Sequence, residues 1–287
     1  MLTTRGLLRW CGVAALLALG AGCHPFEVAQ TLLPSSTYVG HPAIAYGDDP
    51  RQRLDVYLPT GKQGAATPVV VFFYGGSWQH GRREDYRFVG EALAAQGFVA
   101  VIPDYRVYPQ VQFPVFVDDS AAAVAWTAAH AAQYGADPEH VFLMGHSAGA
   151  QIAALLALDR HYLANAGVAA GRVRGFIGLA GPYDFLPLTD PVLERVFGAP
   201  DNLALTQPIN FVSGKAPPML LLHGLADTTV LPRNSEHLAA AARAQGTRAT
   251  LIEYPDYGHI GLVVRLAAPF RANSSVAADV ATFIRQN

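Results

Sequence analysis

The sequence predicts an α/β fold, a mostly parallel central sheet of about eight strands with helices on both faces. Three observations point there. Runs of β-branched and aromatic residues recur without polar alternation, at 68–73, 98–102, 141–145 and 219–222, as in strands buried on both faces. Segments with a helical apolar face lie between them, such as Val117, Ala121, Val124 and Ala128, spaced four, three and four apart. One strand also runs directly into an Ala-rich apolar helix, 150–158, through Gly145-His146-Ser147-Ala148-Gly149.

The remaining elements follow in chain order. Residues 43–46 and 54–58 alternate around Gly47-Asp48-Asp49-Pro50 and read as an antiparallel hairpin at the sheet edge. A loop, 61–67, leads into the 68–73 strand. Tyr74-Gly75-Gly76-Ser77-Trp78 follows it, then a polar loop and a helix over 86–96. After the 141–145 strand and its helix comes a strand over 173–180. Residues 185–217 lack periodicity and are rich in Pro and Leu, so they read as an excursion across the sheet's functional end, with a short helix near 192–197. Its Leu and Phe residues are expected to line the pocket. A helix over 234–245, a strand over 249–254 and a last helix carrying Val276, Val280 and Phe283 complete the chain. Residues 37–287 thus form one domain, with 185–217 as a small cap.

Of 287 residues, 51% are hydrophobic and 15% charged, enough for a large core. A net charge of −2 offers no basic footprint for nucleic acid. No zinc-type Cys/His spacing and no H-E-x-x-H motif is present, so neither metal nor cofactor is expected. Arg5 and Arg9 precede an apolar run, 11–19, too short to span a membrane comfortably, and then Gly20-Ala21-Gly22-Cys23. Residues 1–23 read as a signal peptide, and 24–36 as a tether. The segment resembles a bacterial lipoprotein signal, which implies export, lipidation of Cys23 and a membrane anchor. It departs from that pattern in having Gly20 where Leu is usual. His24 in place of the retention residue Asp leans to the outer membrane. Both cysteines lie in this segment, so the domain has no intrachain disulfide.

The chemistry centres on Ser147. A sharp strand-to-helix turn holds its middle residue in a strained backbone and requires small neighbours, which Gly145 and Gly149 supply. A serine hydroxyl needs a base, and the base an orienting acid. Two apolar strands downstream end in loops carrying such residues: 220–222 leads to Asp227, and 249–254 leads to His259. Asp184 and Asp256 are rival acids; Asp256 sits only three residues from His259, in a tight loop. His146, beside the nucleophile, is expected to point elsewhere, and His223 to be structural. Gly75 is expected to make the turn of an oxyanion loop, with the N–H groups of Gly76, Ser77 and Ala148 as donors. Arg106 is expected to tie a loop to a buried carboxylate.

These residues resemble an α/β-hydrolase of the carboxylesterase type, in the branch with an H-G-G-x-W oxyanion motif. That branch includes prenylcysteine methylesterase-like and kynurenine formamidase-like enzymes. Asp104-Tyr105-Arg106, Tyr134-Gly135-Ala136-Asp137-Pro138 and the Gly145–Gly149 turn all match, and the likeness covers about 43–283. It implies Ser147, Asp227 and His259 as a catalytic triad, with Trp78 packed beside the oxyanion loop. Tyr74 departs from the pattern, because the family carries His there as a brace. The implied activity is hydrolysis of small carboxylic esters, with formamides or amides as the alternative bond. A lipid-anchored binding protein that has lost activity is the reading from another class. An intact Ser147, Asp227 and His259 at strand ends argues against it, and a fluorophosphonate probe separates the two.

Overall fold

The computed structural model describes residues 25–61, 67–169, 171–198 and 200–287. The signal-peptide reading and Cys23 lie outside them. The strands are β1 (Tyr38–Ala45), β2 (Arg53–Pro59), β3 (Val69–Phe73), β4 (Val99–Pro103), β5 (Val141–His146), β6 (Val173–Leu179), β7 (Met219–Gly224) and β8 (Ala249–Tyr254). Among the described residues they form one sheet in the order β1-β2-β4-β3-β5-β6-β7-β8. The β1–β2 and β2–β4 pairs are antiparallel, and every other pair is parallel. All five residues of β3, all of β4 and all six of β5 and β7 are buried, as their unbroken apolar runs require.

The order dictates where the helices go. From β3 the chain steps to β4 through α2 (Arg87–Ala95), then back past β3 to β5 through α3 (Val115–His130). Parallel crossovers are right-handed, so steps in opposite directions put α2 and α3 on opposite faces. α4 (Ala148–Leu158) and α7 (Arg233–Ala244) connect steps in α3's direction and share its face. α10 (Val276–Gln286) packs on α2. The reversal falls between β3 and β5. Loops leaving their C-terminal ends diverge there and open a crevice, the position where such sheets bind ligands.

α4 is buried at all eleven positions, including Gln151. A helix apolar all round belongs inside the molecule, and here it lies directly behind the turn it helps to form. Its start can come so close to the sheet only because two side chains are missing. A Cβ on Gly145 would lie 2.2 Å from the Gly149 carbonyl oxygen, and one on Gly149 would lie 2.1 Å from that of Phe73.

One expectation changes. Part of the supposed tether is a helix, α1 (Pro25–Thr31), with Ala29 fully buried; it packs on α8 (His259–Val264). The excursion holds α6 (Pro191–Phe197), capped by Asp190 through the Val192 N–H at 2.7 Å, and two 3-10 turns, Pro200–Thr206 and Pro208–Phe211. α5 (Arg160–Asn165) and α9 (Ala268–Arg271) are short additions.

Candidate active site

Ser147 stands between β5 and α4 at φ 56° and ψ −126°. A side chain in this region costs about 1–3 kcal/mol, so the surroundings must impose it. Its N–H donates to the Leu179 carbonyl on β6 (3.0 Å), and its carbonyl accepts from Ala150 N–H, which fixes both sides of the turn. The hydroxyl is thereby presented to His259, with Oγ 2.8 Å from Nε2.

His259 opens α8, and its other nitrogen, Nδ1, lies 2.7 Å from Asp227 Oδ2. The Asp227 loop follows β7 and is shaped by its own carboxylate: Oδ1 accepts the N–H groups of Thr229 (2.8 Å) and Val230 (2.9 Å). His223 supports it from the end of β7. Its Nε2 donates to the Val230 carbonyl (2.9 Å) and lies 3.5 Å from Asp227 Oδ2, while Nδ1 accepts from Ser235 Oγ (2.7 Å). Burial alone would raise the Asp227 pKa, but His223, the hydrogen-bonded His259 and the backbone donors outweigh it and hold the carboxyl well below its usual range. Asp227 is therefore an ionised acceptor at neutral pH, which fixes the Nδ1–H tautomer of His259 and leaves Nε2 to accept from Ser147.

The loop expected to hold an oxyanion follows β3. Gly76 takes φ +139°, and Ser77 and Trp78 are left-handed at 53° and 59°. The turn closes with Gln79 and His80 N–H donating to the Gly76 carbonyl, so Gly76 makes the turn where Gly75 was expected to. Gly75 serves close approach instead: a Cβ there would lie 2.9 Å from Ser147 Cβ. Its N–H meets the Tyr86 hydroxyl. The N–H groups of Gly76, Ser77 and Ala148 make no hydrogen bond within the described residues. Gly76 and Ser77 line a cavity of about 510 Å³ together with Ser147, His259, Tyr86, Thr229 and Ile260, and Ala148 begins α4, where orphan N–H groups are inherent.

Tyr74 is fully buried behind this loop, stacked on Tyr105 at 4.7 Å. Its hydroxyl donates to Asp104 Oδ1 (2.8 Å) and accepts from Arg51 Nη2 (3.0 Å), while Tyr105 donates to the Tyr74 carbonyl (2.6 Å). Arg83 completes the cluster with ion pairs to Asp104 and Asp55. The packed ring, with these bonds around it, holds the base of the loop. Trp78 packs edge-on to Phe197 (4.7 Å) and donates from Nε1 to Gln151 (3.1 Å). Arg106 grips the buried Asp119 of α3 with both Nε (2.8 Å) and Nη2 (2.7 Å).

The rival acids lie elsewhere. Asp184 pairs with His237 (2.7 Å), and Asp256 is exposed. Among the described residues, none of 185–217, expected to line the pocket, lines the cavity beside Ser147. Phe185 and Phe197 are taken up against Trp78, and Leu186, Leu188 and Leu203 line a separate cavity. Sequence reasoning missed Tyr86, Thr229 and Ile260 as walls, and the contact of His146 Nε2 with the His259 carbonyl oxygen (3.2 Å). No one-dimensional signal marks them, because loops distant in sequence bring them together.

The BD-FAE family profile matches residues 54–242. Isoprenylcysteine alpha-carbonyl methylesterase ICME of Arabidopsis thaliana is 30% identical over 90% of this chain and 67% of its own length. Esterase LipC of Mycobacterium tuberculosis is 33% identical over 77% of this chain and 60% of its own. The chain spans about three fifths of the length of the curated relatives it matches. Among solved structures, an inhibited esterase B from Lactobacillus rhamnosis superposes with a TM-score of 0.78 at 22% identity, over 96% of both chains. A truncated carbohydrate esterase from gut microbiota gives 0.77 at 22%, over 88% of this chain and 98% of that one. The fold is that of the α/β-hydrolases.

Proposed function

The chain belongs to the BD-FAE family, and from that premise we propose that it is a serine hydrolase that cleaves small carboxylic esters through an acyl-enzyme. One observation carries the reading: an unbroken relay, Ser147 Oγ to His259 Nε2 at 2.8 Å and His259 Nδ1 to Asp227 at 2.7 Å, opens on a cavity walled by the oxyanion loop. Ser147 Oγ attacks the ester carbonyl carbon as His259 Nε2 takes its proton. The carbonyl oxygen becomes an oxyanion held by the N–H groups of Gly76, Ser77 and Ala148. The imidazolium, stabilised by ionised Asp227, returns the proton to the departing alcohol. Water then enters by the same base, and the acid leaves with Ser147 restored. The names of the methylesterase and LipC relatives support an ester as the bond cleaved. A panel of aryl esters of rising acyl length, with aryl formamides and peptide amides alongside, tests it. Turnover confined to esters, falling as the acyl chain outgrows the cavity, is expected. Faster cleavage of formamides or amides would overturn the ester assignment.

We also propose that the protein is exported and held at the outer membrane by acylation of Cys23. The support is the basic, apolar and small-residue succession ending in Cys23-His24. More than one acyl chain is needed for a stable hold. Cys23→Ala is expected to move the protein from the membrane to the soluble fraction with unchanged specific activity. Wholly soluble parent protein would contradict the anchor.

A further inference from the structure

We propose that His146, the residue before the nucleophile, is a positioning residue that sets the distance between Ser147 and His259; this rests on the serine-hydrolase reading above. The base-bearing loop is tied to its two partners in different ways. Toward the acid it is held by backbone: Leu225 N–H donates to the Tyr254 carbonyl (2.9 Å) and Ala226 N–H to that of Tyr257 (3.2 Å). Those bonds lie immediately before Asp227 and join its loop to the one that leads into His259. Toward the nucleophile the tie is a side chain. His146 Nε2 lies 3.2 Å from the carbonyl oxygen of His259 itself. The rings of His146 and His259 also pack at 4.8 Å, inclined by 40°.

A carbonyl only accepts, so His146 Nε2 carries the proton and Nδ1 is bare. That Nδ1 is buried and has no partner among the described residues. Gly75 covers it, and a Cβ there would lie 3.0 Å away. A second proton on this ring would therefore be buried without an acceptor. Burial first, and the neighbouring His259 second, pull the His146 pKa down to about 3, against the hydrogen bond to the His259 carbonyl and the field of Asp227; His223 adds to the depression. His146 thus stays neutral while His259 becomes imidazolium beside it. It supplies a fixed donor without adding a competing cation, which a lysine or arginine would.

The donor is lost in His146→Phe, which keeps an aromatic ring, and in the smaller His146→Leu. It is replaced in His146→Gln, whose amide nitrogen reaches about as far as Nε2. Steady-state hydrolysis of 4-nitrophenyl butyrate, with thermal unfolding of each variant, is the test. In folded Phe and Leu variants kcat is expected to fall on the order of 10- to 100-fold, since misplacement of a base by about 1 Å costs that much. KM is expected to stay within about threefold, and Gln to recover most of kcat. The rate of fluorophosphonate capture by Ser147 should fall in parallel. A folded Phe or Leu variant with parental kcat overturns the inference, as does a Gln variant no better than either. A parent protein that neither hydrolyses the ester nor takes up the probe overturns instead the reading on which it rests.

Discussion

His259 Nδ1 lies 2.7 Å from Asp227 Oδ2, and His237 Nδ1 lies 2.7 Å from Asp184 Oδ2. The two pairs share residue types, atoms and length, and differ in everything around them. The Asp227 side chain has no exposure and that of His259 11%, whereas Asp184 and His237 are 38% and 50% exposed. Two backbone N–H groups and His223 hold the first carboxylate in one orientation. The second pair spans two surface segments, where such contacts contribute only about 0–1 kcal/mol. The first histidine has a serine on its far side, and its own backbone is gripped by His146. A histidine–aspartate bond becomes catalytic machinery only when its surroundings fix the tautomer and aim the free nitrogen at a nucleophile.

The largest expected effect breaks the comparison outright. Asp227→Asn should lower kcat by about 10⁴, because Asn stabilises the wrong tautomer of His259 and cannot balance the imidazolium. Asp184→Asn should leave kcat within about threefold of the parent. Ester kinetics on both purified variants decide it; an inactive Asp184 variant beside an active Asp227 variant would reverse the acid assignment.

A smaller effect tests whether the buried side depends on its supports. Tyr74→Ala should cut kcat by on the order of 10²-fold with little change in KM, since an unbraced loop lets the Gly76 and Ser77 donors drift. Tyr74→Phe keeps the stacking on Tyr105 and removes only the hydroxyl. Its activity should stay near parental, while unfolding by urea shows a loss of about 1–3 kcal/mol from leaving Asp104 and Arg51 short of a partner. A Phe variant as slow as the Ala variant would make the hydroxyl's bonds to Asp104 and Arg51, and not the packed ring, the hold on the loop.

The pH dependence of stability gives the finest contrast. The folded pKa of Asp227 lies below its unfolded value. Its contribution is therefore fully present above the ordinary carboxylate range, near pH 4, and is lost as pH falls below it. Folded His146 is likewise depressed, to about 3 from 6.5, by burial and by His259 and His223, against its hydrogen bond to the His259 carbonyl and the field of Asp227. Its contribution is present above about pH 6.5 and declines toward pH 3. Urea midpoints measured from pH 7 to pH 3 should fall less steeply in His146→Gln than in the parent between pH 6.5 and 4. Asp227→Asn should flatten the curve only below about pH 4. Parallel curves for all three proteins would contradict both assignments.

The relay was legible in the sequence because each member follows an apolar strand, and the parallel sheet brings those strand ends to one crevice. Ser147, Asp227 and His259 meet as their order implied, and Arg106 finds a buried carboxylate as expected. Other features depend on side chains meeting across long separations. His146 reaches His259 across 113 positions, and Tyr74 finds Arg51 and Asp104 through the hairpin and β4. Phe185 and Phe197 look available for a pocket, yet Trp78 claims them, which composition cannot reveal. α1 was hidden because a helix of seven residues is too short to leave a clear periodic trace.

The central claim is that Ser147 is the nucleophile of an ester hydrolase. Titration of the full chain with a fluorophosphonate, followed by intact-mass and peptide mapping with ester turnover measured on the same samples, tests it most directly. One adduct per chain on Ser147, loss of turnover in proportion to its formation, and neither adduct nor turnover in a folded Ser147→Ala variant are expected. Ester hydrolysis that persists in the fully modified protein or in Ser147→Ala would contradict the account.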